Sequence, residues 1–469
     1  MGRRRKRFPL LENVSITGIA DKGRSVGRTE AGQVVFVEDA VPGDVVDVQV
    51  NRKKKGVMFG FTTHIRQHSI DRTGPTCSHF GLCGGCKWQH LTYDAQLRHK
   101  QTVVEDAIFR LGKLEVGDMQ SILPSTEQTY YRNKIEYSFS NKKWLTREQI
   151  TSGISNLEDV LGFHKAGAFD KIINIDHCYL QPSPSNALRN YIQAAAIAQG
   201  LSFYDARAQV GFMRNMVVRI TSIGELMLIM SIREDKPELY RPLFDGILAH
   251  FPEITSFYYC INGKVNDYLM DLEMRLYHGK AYVEEKMGHV NFKIGPKSFF
   301  QTNTKQGARL YDTVVEFANL QGTENVYDLY TGIGSIALYV AQYCKQVVGI
   351  EEIAPAIDDA RENALLNEID NTTFYAGDVK DILTPEFAVK HGKPDLLITD
   401  PPRAGMHPKV VQMLLQLAAP RLVYVSCNPA TQARDLAILS EKYQILKVRP
   451  VDMFPHTHHI ESVALLELR

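Results

Sequence analysis

The residue with the sharpest chemistry is Cys427, in Val425-Ser426-Cys427-Asn428-Pro429. It follows the strand-like run Leu422–Ser426, which places it at the carboxyl end of a strand. A thiolate is a strong nucleophile, but a thiol of ordinary pKa must be activated to act as one. Added to carbon 6 of a uracil ring, it would create an enolate. Carbon 5 would then be nucleophilic enough to attack a methyl sulfonium, and a base would have to remove the carbon 5 proton before the sulfur could leave. Glu461, in His458-His459-Ile460-Glu461-Ser462, is the candidate base. The plain alternatives are a small buried hydrophobe at 427 and a surface acid at 461, and position alone does not separate them. The nearby His456, His458 and His459 lack regular metal-ligand spacing.

A second constellation points to a nucleoside-containing cofactor. Asp328-Leu329-Tyr330-Thr331-Gly332-Ile333-Gly334-Ser335 ends a strand-like run and opens a helical one. Gly332 and Gly334 allow a tight turn and close backbone approach, and Glu351 ends the next strand, where an acid can accept ribose hydroxyls. Asp378 closes a third strand-like piece and could face an adenine. This much also fits a dinucleotide fold or an ordinary strand–helix turn. Asp400-Pro401-Pro402-Arg403 tips the balance: two prolines at a strand end give a stiff lip able to hold a flat base. Such a lip is common among methyltransferases and is not expected of dehydrogenases.

Third, Cys77, Cys83 and Cys86 have the spacing C-x5-C-x2-C among glycines, and Cys178 is the next Cys in sequence. Four thiolates suit tetrahedral zinc or a [4Fe-4S] cluster, and spacing leaves both open.

The elements that must position these groups fall into three stretches. Residues 10–66 read as short strands with turns at Gly27, Gly32 and Pro42-Gly43-Asp44, the pattern of a small OB-like barrel, with Lys53–Lys55 in a loop between strands. Residues 92–113 read as a helix, and 130–290 as mixed α and β. From about Gly295, strands alternate with helices, which predicts an open parallel sheet whose ligands lie beyond the carboxyl ends of the strands. The expected domains are 1–68, 69–290 (with the helix 92–113 able to pack on the catalytic domain) and 291–469.

Together these motifs resemble the RNA uracil-5 methyltransferase family, specifically its branch acting on 23S ribosomal RNA. The resemblance runs nearly the full chain and adds Phe299-Phe300-Gln301-Thr302-Asn303 and Tyr131-Arg132-Asn133-Lys134 to the motifs above. It implies an α/β, Rossmann-like S-adenosylmethionine-dependent methyltransferase domain, an N-terminal barrel of the TRAM type, and a central α+β domain carrying an iron–sulfur cluster. It assigns the nucleophile to Cys427, the base to Glu461, cofactor contacts to Gln301, Tyr330, Glu351 and Asp400, and more weakly Asp378. It favours [4Fe-4S] over zinc on Cys77, Cys83, Cys86 and Cys178. Arg132 and Lys134 could hold RNA phosphates, and Tyr131 could stack on a base. The alternatives are tRNA uracil-5 methylation by the same chemistry, an exocyclic-amine methyltransferase needing no Cys nucleophile, and an RNA-binding protein with a vestigial catalytic domain.

Bulk properties agree with an RNA partner. Over 469 residues the net charge is only +1, but residues 1–66 carry 13 Lys/Arg against 7 Asp/Glu. The excess sits in Arg3–Arg7 and in Arg52-Lys53-Lys54-Lys55, which a phosphate backbone would attract. No apolar run is long enough for a membrane span, and no apolar stretch of signal-peptide type follows the basic start. A cytoplasmic monomer without membrane contact is expected, its seven Cys serving metal or catalysis rather than disulfides.

Overall fold

The computed structural model describes residues 8–165 and 168–469; the basic run Arg3–Arg7 lies outside them. Two compact units emerge. One comprises Met1–Lys100 with Phe454–His458, the other Gln101–Met453 with His459–Arg469.

In the first unit, strands Leu10–Ala20, Arg24–Arg28, Val34–Glu38, Val45–Lys54 and Val57–Gln67 close into the expected small barrel. Alternate residues point inward, so Val14, Ile16, Val35, Val37, Val46, Val48 and Val50 form its core. One expectation fails. Lys53 and Lys54 belong to a strand rather than a loop, and only Lys55 lies between strands. Lys55 and Gly56 both take positive φ (48° and 80°) and make a two-residue hairpin turn, so the ladder runs on through the basic residues.

The second unit holds two large sheets. The first has seven strands in the order Arg275–Gly279, Ile254–Ile261, Leu226–Ile232, Met213–Ile220, Lys134–Lys142, Leu157–His164 and Ile172–Asn174. Its strands Met213–Ile220 and Leu226–Ile232 are buried at every position.

The second sheet has the order Thr372–Ala376, Gln346–Glu351, Asn325–Leu329, Leu396–Thr399, Arg421–Ser426, Glu461–Leu468, Tyr443–Val451 and Asp118–Met119. The first five strands are parallel, as expected. Glu461–Leu468 departs from that expectation, running antiparallel to both neighbours. Only nine residues separate it from Tyr443–Val451, and a parallel return needs a crossover of a dozen or more. The strand order reverses between Asn325–Leu329 and Leu396–Thr399, so a crevice is expected above their carboxyl ends. The helical stretch predicted over 92–113 is an α-helix over Tyr93–Glu105 followed by a π-helical turn, Asp106–Leu111. Val104, Ala107 and Ile108 join the core of this second sheet.

Candidate active site

Strand register brings the two candidate residues, Cys427 and Glu461, to the same sheet edge. Ser426 pairs with Ser462 across the antiparallel ladder. Cys427, one residue beyond the first strand, is therefore brought near Glu461, which opens the second, and the Glu461 charge bears on its thiol. Cys427 is half-buried and Glu461 is buried. Asp400 stands one residue past the neighbouring strand Leu396–Thr399. Asn428 clamps the two loops. Its Nδ2 donates to the Arg403 carbonyl (2.9 Å) and its Oδ1 accepts from Ala430 N (3.2 Å), capping the helix Pro429–Leu439. Thr431 Oγ1 also donates to Arg403 O (3.3 Å). The Asp-Pro-Pro-Arg lip is thus fastened to the Cys loop.

The site is acidic. Burial, then the charges of Glu461 and Asp400, push the Cys427 thiol up to about 11, with Arg403 opposing. Burial and Asp400 raise the Glu461 carboxyl well above its ordinary value, again with Arg403 opposing. Burial and Asp328 push Asp400 up to about 7. A carboxyl raised in this way is a better proton acceptor than an exposed one. Arg403, which the sequence reading left without a role, is the positive charge that faces both Cys427 and Glu461.

The glycine turn lies along the same sheet edge. Gly332 and Gly334 have φ of 56° and 80°, and Tyr330 also has positive φ (65°). A Cβ on Gly332 would meet nothing within 4 Å, so this turn borders open space. Glu351 Oε2 accepts from Gly332 N (3.1 Å) and its Oε1 from Ile353 N (3.0 Å), fixing the carboxylate beside the turn. Asp328 Oδ2 accepts from Thr331 Oγ1 (2.5 Å) and Ala337 N (3.1 Å), while its buried Oδ1 has no partner. Gln301 neighbours the Tyr311 hydroxyl, which donates to Ser335 Oγ (3.0 Å) at the start of the glycine-turn helix. Three carboxylates, an open glycine turn and a stiff proline lip fit a cationic sulfonium joined to a nucleoside. Asp378 caps the short helix Val379–Ile382 through Lys380 N (3.0 Å) and ion-pairs with Lys380, so its carboxylate already has local partners.

Residues 270–469 match the family described as tRNA (Uracil-5-)-methyltransferase, and residues 12–61 match the TRAM domain. An uncharacterized RNA methyltransferase of Bacteroides thetaiotaomicron is 49% identical over 96% of this chain and 100% of its own length. The chain belongs to the RNA uracil-5 methyltransferase family. A second family member, an uncharacterized RNA methyltransferase of Chlorobaculum tepidum, is 38% identical over 97% of this chain and 95% of its own. The tRNA (uracil-54, C5)-methyltransferase of Pyrococcus abyssi, solved with S-adenosyl-L-homocysteine, superposes with a TM-score of 0.75 at 28% identity, covering 97% of this chain and all of that one. The uracil-5 methyltransferase fold, S-adenosylmethionine-dependent, is therefore the fold of this chain's catalytic half, and its barrel is a TRAM domain.

The remaining site residues of this family member fall in three places. Arg52 lies over the Phe59 ring (4.1 Å to its centroid), and Phe59 neighbours Phe36 (5.3 Å). With exposed Lys53, Lys54 and Lys55, this gives the TRAM barrel a mixed cationic and aromatic face suited to single-stranded nucleic acid. In the second unit, Asn133 anchors the Gln301 loop: its N donates to Thr302 O (2.7 Å), and its Nδ2 to Gln301 O (2.9 Å) and Thr304 Oγ1 (2.9 Å). Arg132 Nε donates to Lys134 O (2.9 Å). Tyr131 is buried, which corrects the expectation that it offers a stacking face. Cys77, Cys83 and Cys86 sit on an irregular loop of the first unit, where Gly85 N donates to Cys83 Sγ (3.4 Å); Cys178 is buried in the second unit. Among the described residues, no three His, Cys, Asp or Glu side chains converge as around a metal ion. No described helix is long and apolar enough to cross a membrane.

Proposed function

We propose that this chain methylates carbon 5 of a uridine in RNA through a transient covalent bond to Cys427. The observation that carries the reading is the cross-strand meeting of Cys427 with buried Glu461 beside the Asp400 lip. In the proposed cycle, the Cys427 thiol loses its proton to solvent, and its sulfur bonds as the thiolate to carbon 6 of the uracil. The electron pair of the carbon 5–carbon 6 bond moves toward carbon 4 and its oxygen, leaving carbon 5 nucleophilic. S-adenosylmethionine, when bound, supplies the electrophilic methyl group that carbon 5 takes. Glu461 then accepts the carbon 5 proton, the double bond reforms and the carbon 6–sulfur bond breaks. Gln301, Tyr330, Gly332, Gly334, Glu351, Asp378 and Asp400 are the proposed cofactor-facing residues, with Glu351 placed for the ribose diol. Burial raises the Glu461 carboxyl, so its ionised form is a stronger base toward the carbon 5 proton.

The rRNA branch of the sequence resemblance favours 23S ribosomal RNA as substrate. The named tRNA substrate of the Pyrococcus abyssi relative supports tRNA as the second reading. Nucleoside analysis of 23S rRNA and tRNA from a strain lacking the gene decides. Loss of 5-methyluridine from one fraction, restored by the wild-type chain and not by Cys427→Ala, is expected. Unchanged 5-methyluridine in both fractions rejects the activity.

Cys77, Cys83, Cys86 and Cys178 are proposed as thiolate ligands of an iron–sulfur cluster, with zinc as the alternative occupant. The backbone N–H donated to Cys83 Sγ supports thiolate character in that loop. Elemental analysis of anaerobically purified protein should find iron with matching acid-labile sulfide. Zinc without iron would select the alternative, and neither metal would remove the proposal.

A further inference from the structure

Lys134 and Arg219 face each other directly across an antiparallel pair of strands. Like charges in that position destabilise a sheet, and here both are withdrawn from water. Arg219 is only 3% exposed and Lys134 is half-buried. Burial and the Arg219 charge push Lys134 down to about 8; burial pushes Arg219 down to about 10, with Glu285 the one nearby charge that favours its ionised form.

Two carboxylates lie near the pair, Glu136 on the Lys134 strand and Glu285 beside Arg219, and neither forms a salt bridge with either cation. Arg219 Nη2 donates to the neutral Ser298 carbonyl (3.2 Å), and its buried Nη1 has no partner at all. Glu285 is saturated by other donors: Ser222 N (2.9 Å), Ser222 Oγ (2.5 Å) and Lys286 N (3.0 Å) on one oxygen, and Thr304 Oγ1 (2.8 Å) on the other. Even so, burial outweighs both carboxylates, and each cation is held below its ordinary value.

The pair also has a telling address. Ser298, held by Arg219, lies three residues before Gln301, and Asn133, adjacent to Lys134, holds Gln301 and Thr302 from the other side. The cations thus flank the segment that leads, through Gln301, Tyr311 and Ser335, to the glycine turn.

We propose that the Lys134–Arg219 cross-strand pair is a subsite for a phosphodiester of the RNA strand next to the target nucleotide. Lys134 makes the contact, and Arg219 beneath it is a positioning residue that supplies the second positive charge. This rests on the chain's acting on RNA at the Cys427 site. A phosphate seated there would cancel the repulsion that the free protein tolerates, so strand binding and the ordering of the Gln301 segment would be coupled.

The test measures binding of the full chain to a short single-stranded oligouridylate across a salt series, together with S-adenosylmethionine affinity. Each phosphate neutralised on a single strand contributes about 0.7 to the slope of log affinity against log salt. Lys134→Gln should lower that slope by about 0.7 and leave cofactor affinity within about twofold. Arg219→Met should weaken oligouridylate binding several-fold at low salt, with the loss shrinking as salt rises. Lys134→Gln is partly exposed and serves as the informative variant if Arg219→Met misfolds. An unchanged slope in Lys134→Gln overturns the subsite, as does a wild-type chain whose binding shows no salt dependence. A loss of cofactor affinity in Arg219→Met with RNA binding unaltered would make Arg219 merely a support for the Ser298 carbonyl, and would overturn its part. Methyl transfer by the wild type, scored in parallel, keeps the outcomes separate: no transfer with a Lys134-dependent slope rejects the uridine chemistry and leaves the subsite standing.

Discussion

Cys427→Ala is expected to abolish methyl transfer, by about 10⁴-fold or more, the scale on which loss of a covalent nucleophile is felt. That corresponds to about 5.5 kcal/mol of transition-state stabilisation. Truncation of a half-buried side chain at a strand end leaves the sheet core intact, so folding and S-adenosylmethionine binding should survive. The companion measurement uses RNA with 5-fluorouridine in place of uridine. Fluorine at carbon 5 cannot be removed as a proton, so the wild-type chain should stall as a covalent protein–RNA species that withstands denaturation, and the Ala variant should form none. An adduct that persists in Cys427→Ala would move the nucleophile elsewhere. The pH profile adds an independent check. With the thiol pushed up to about 11, the thiolate fraction grows about tenfold per pH unit below that value. The trapping rate should therefore climb with pH through the neutral and alkaline range. Asp400 is one of the negative neighbours that raise the thiol, so Asp400→Asn should shift the profile toward lower pH.

Glu461→Gln should separate bond making from release. The amide keeps the shape of the buried side chain and removes its ability to take a proton. Cys427 can still add to the ring and carbon 5 can still take the methyl group, but the proton on carbon 5 stays. Turnover should fall by about 10²–10⁴-fold, the usual contribution of a positioned general base. Methylated RNA bound covalently to the protein should accumulate even with ordinary uridine, visible as a protein–RNA band that carries label from the methyl donor. Normal turnover in Glu461→Gln would assign the proton transfer to another group, with Asp400, pushed up to about 7, the next candidate in the site.

Much of this was legible in local sequence. Alternating valines in the first 66 residues specify a barrel because inward and outward positions on a strand differ by one residue. Gly332 and Gly334 announce a tight strand–helix turn because few other residues accept positive φ. Cys427 follows the strand-like run Leu422–Ser426, so its place at a strand end can be read directly. Other features could not be read this way. The charge run Lys53–Lys55 reads as a loop, whereas the two-residue Lys55-Gly56 turn extends the ladder through Lys53 and Lys54 and leaves only Lys55 between the strands. Tyr131 looked available for stacking until the fold buried it. Arg403 carried no signal beyond its motif, since its influence on Cys427 and Glu461 acts through space.

The residue types and their spacing by themselves determined the chemistry available to this chain: a thiol, a nearby acid, a glycine turn with a downstream carboxylate, and a rigid proline lip, each fixed by local backbone rules. Only the tertiary structure decided which of these groups meet. The antiparallel insertion of Glu461–Leu468 beside Arg421–Ser426 sets Glu461 against Cys427, and the pairing of Met213–Ile220 with Lys134–Lys142 sets Arg219 against Lys134. Strand register and burial are collective properties of a packed sheet, and so are the long-range charge effects that follow from them; no short window of sequence contains them.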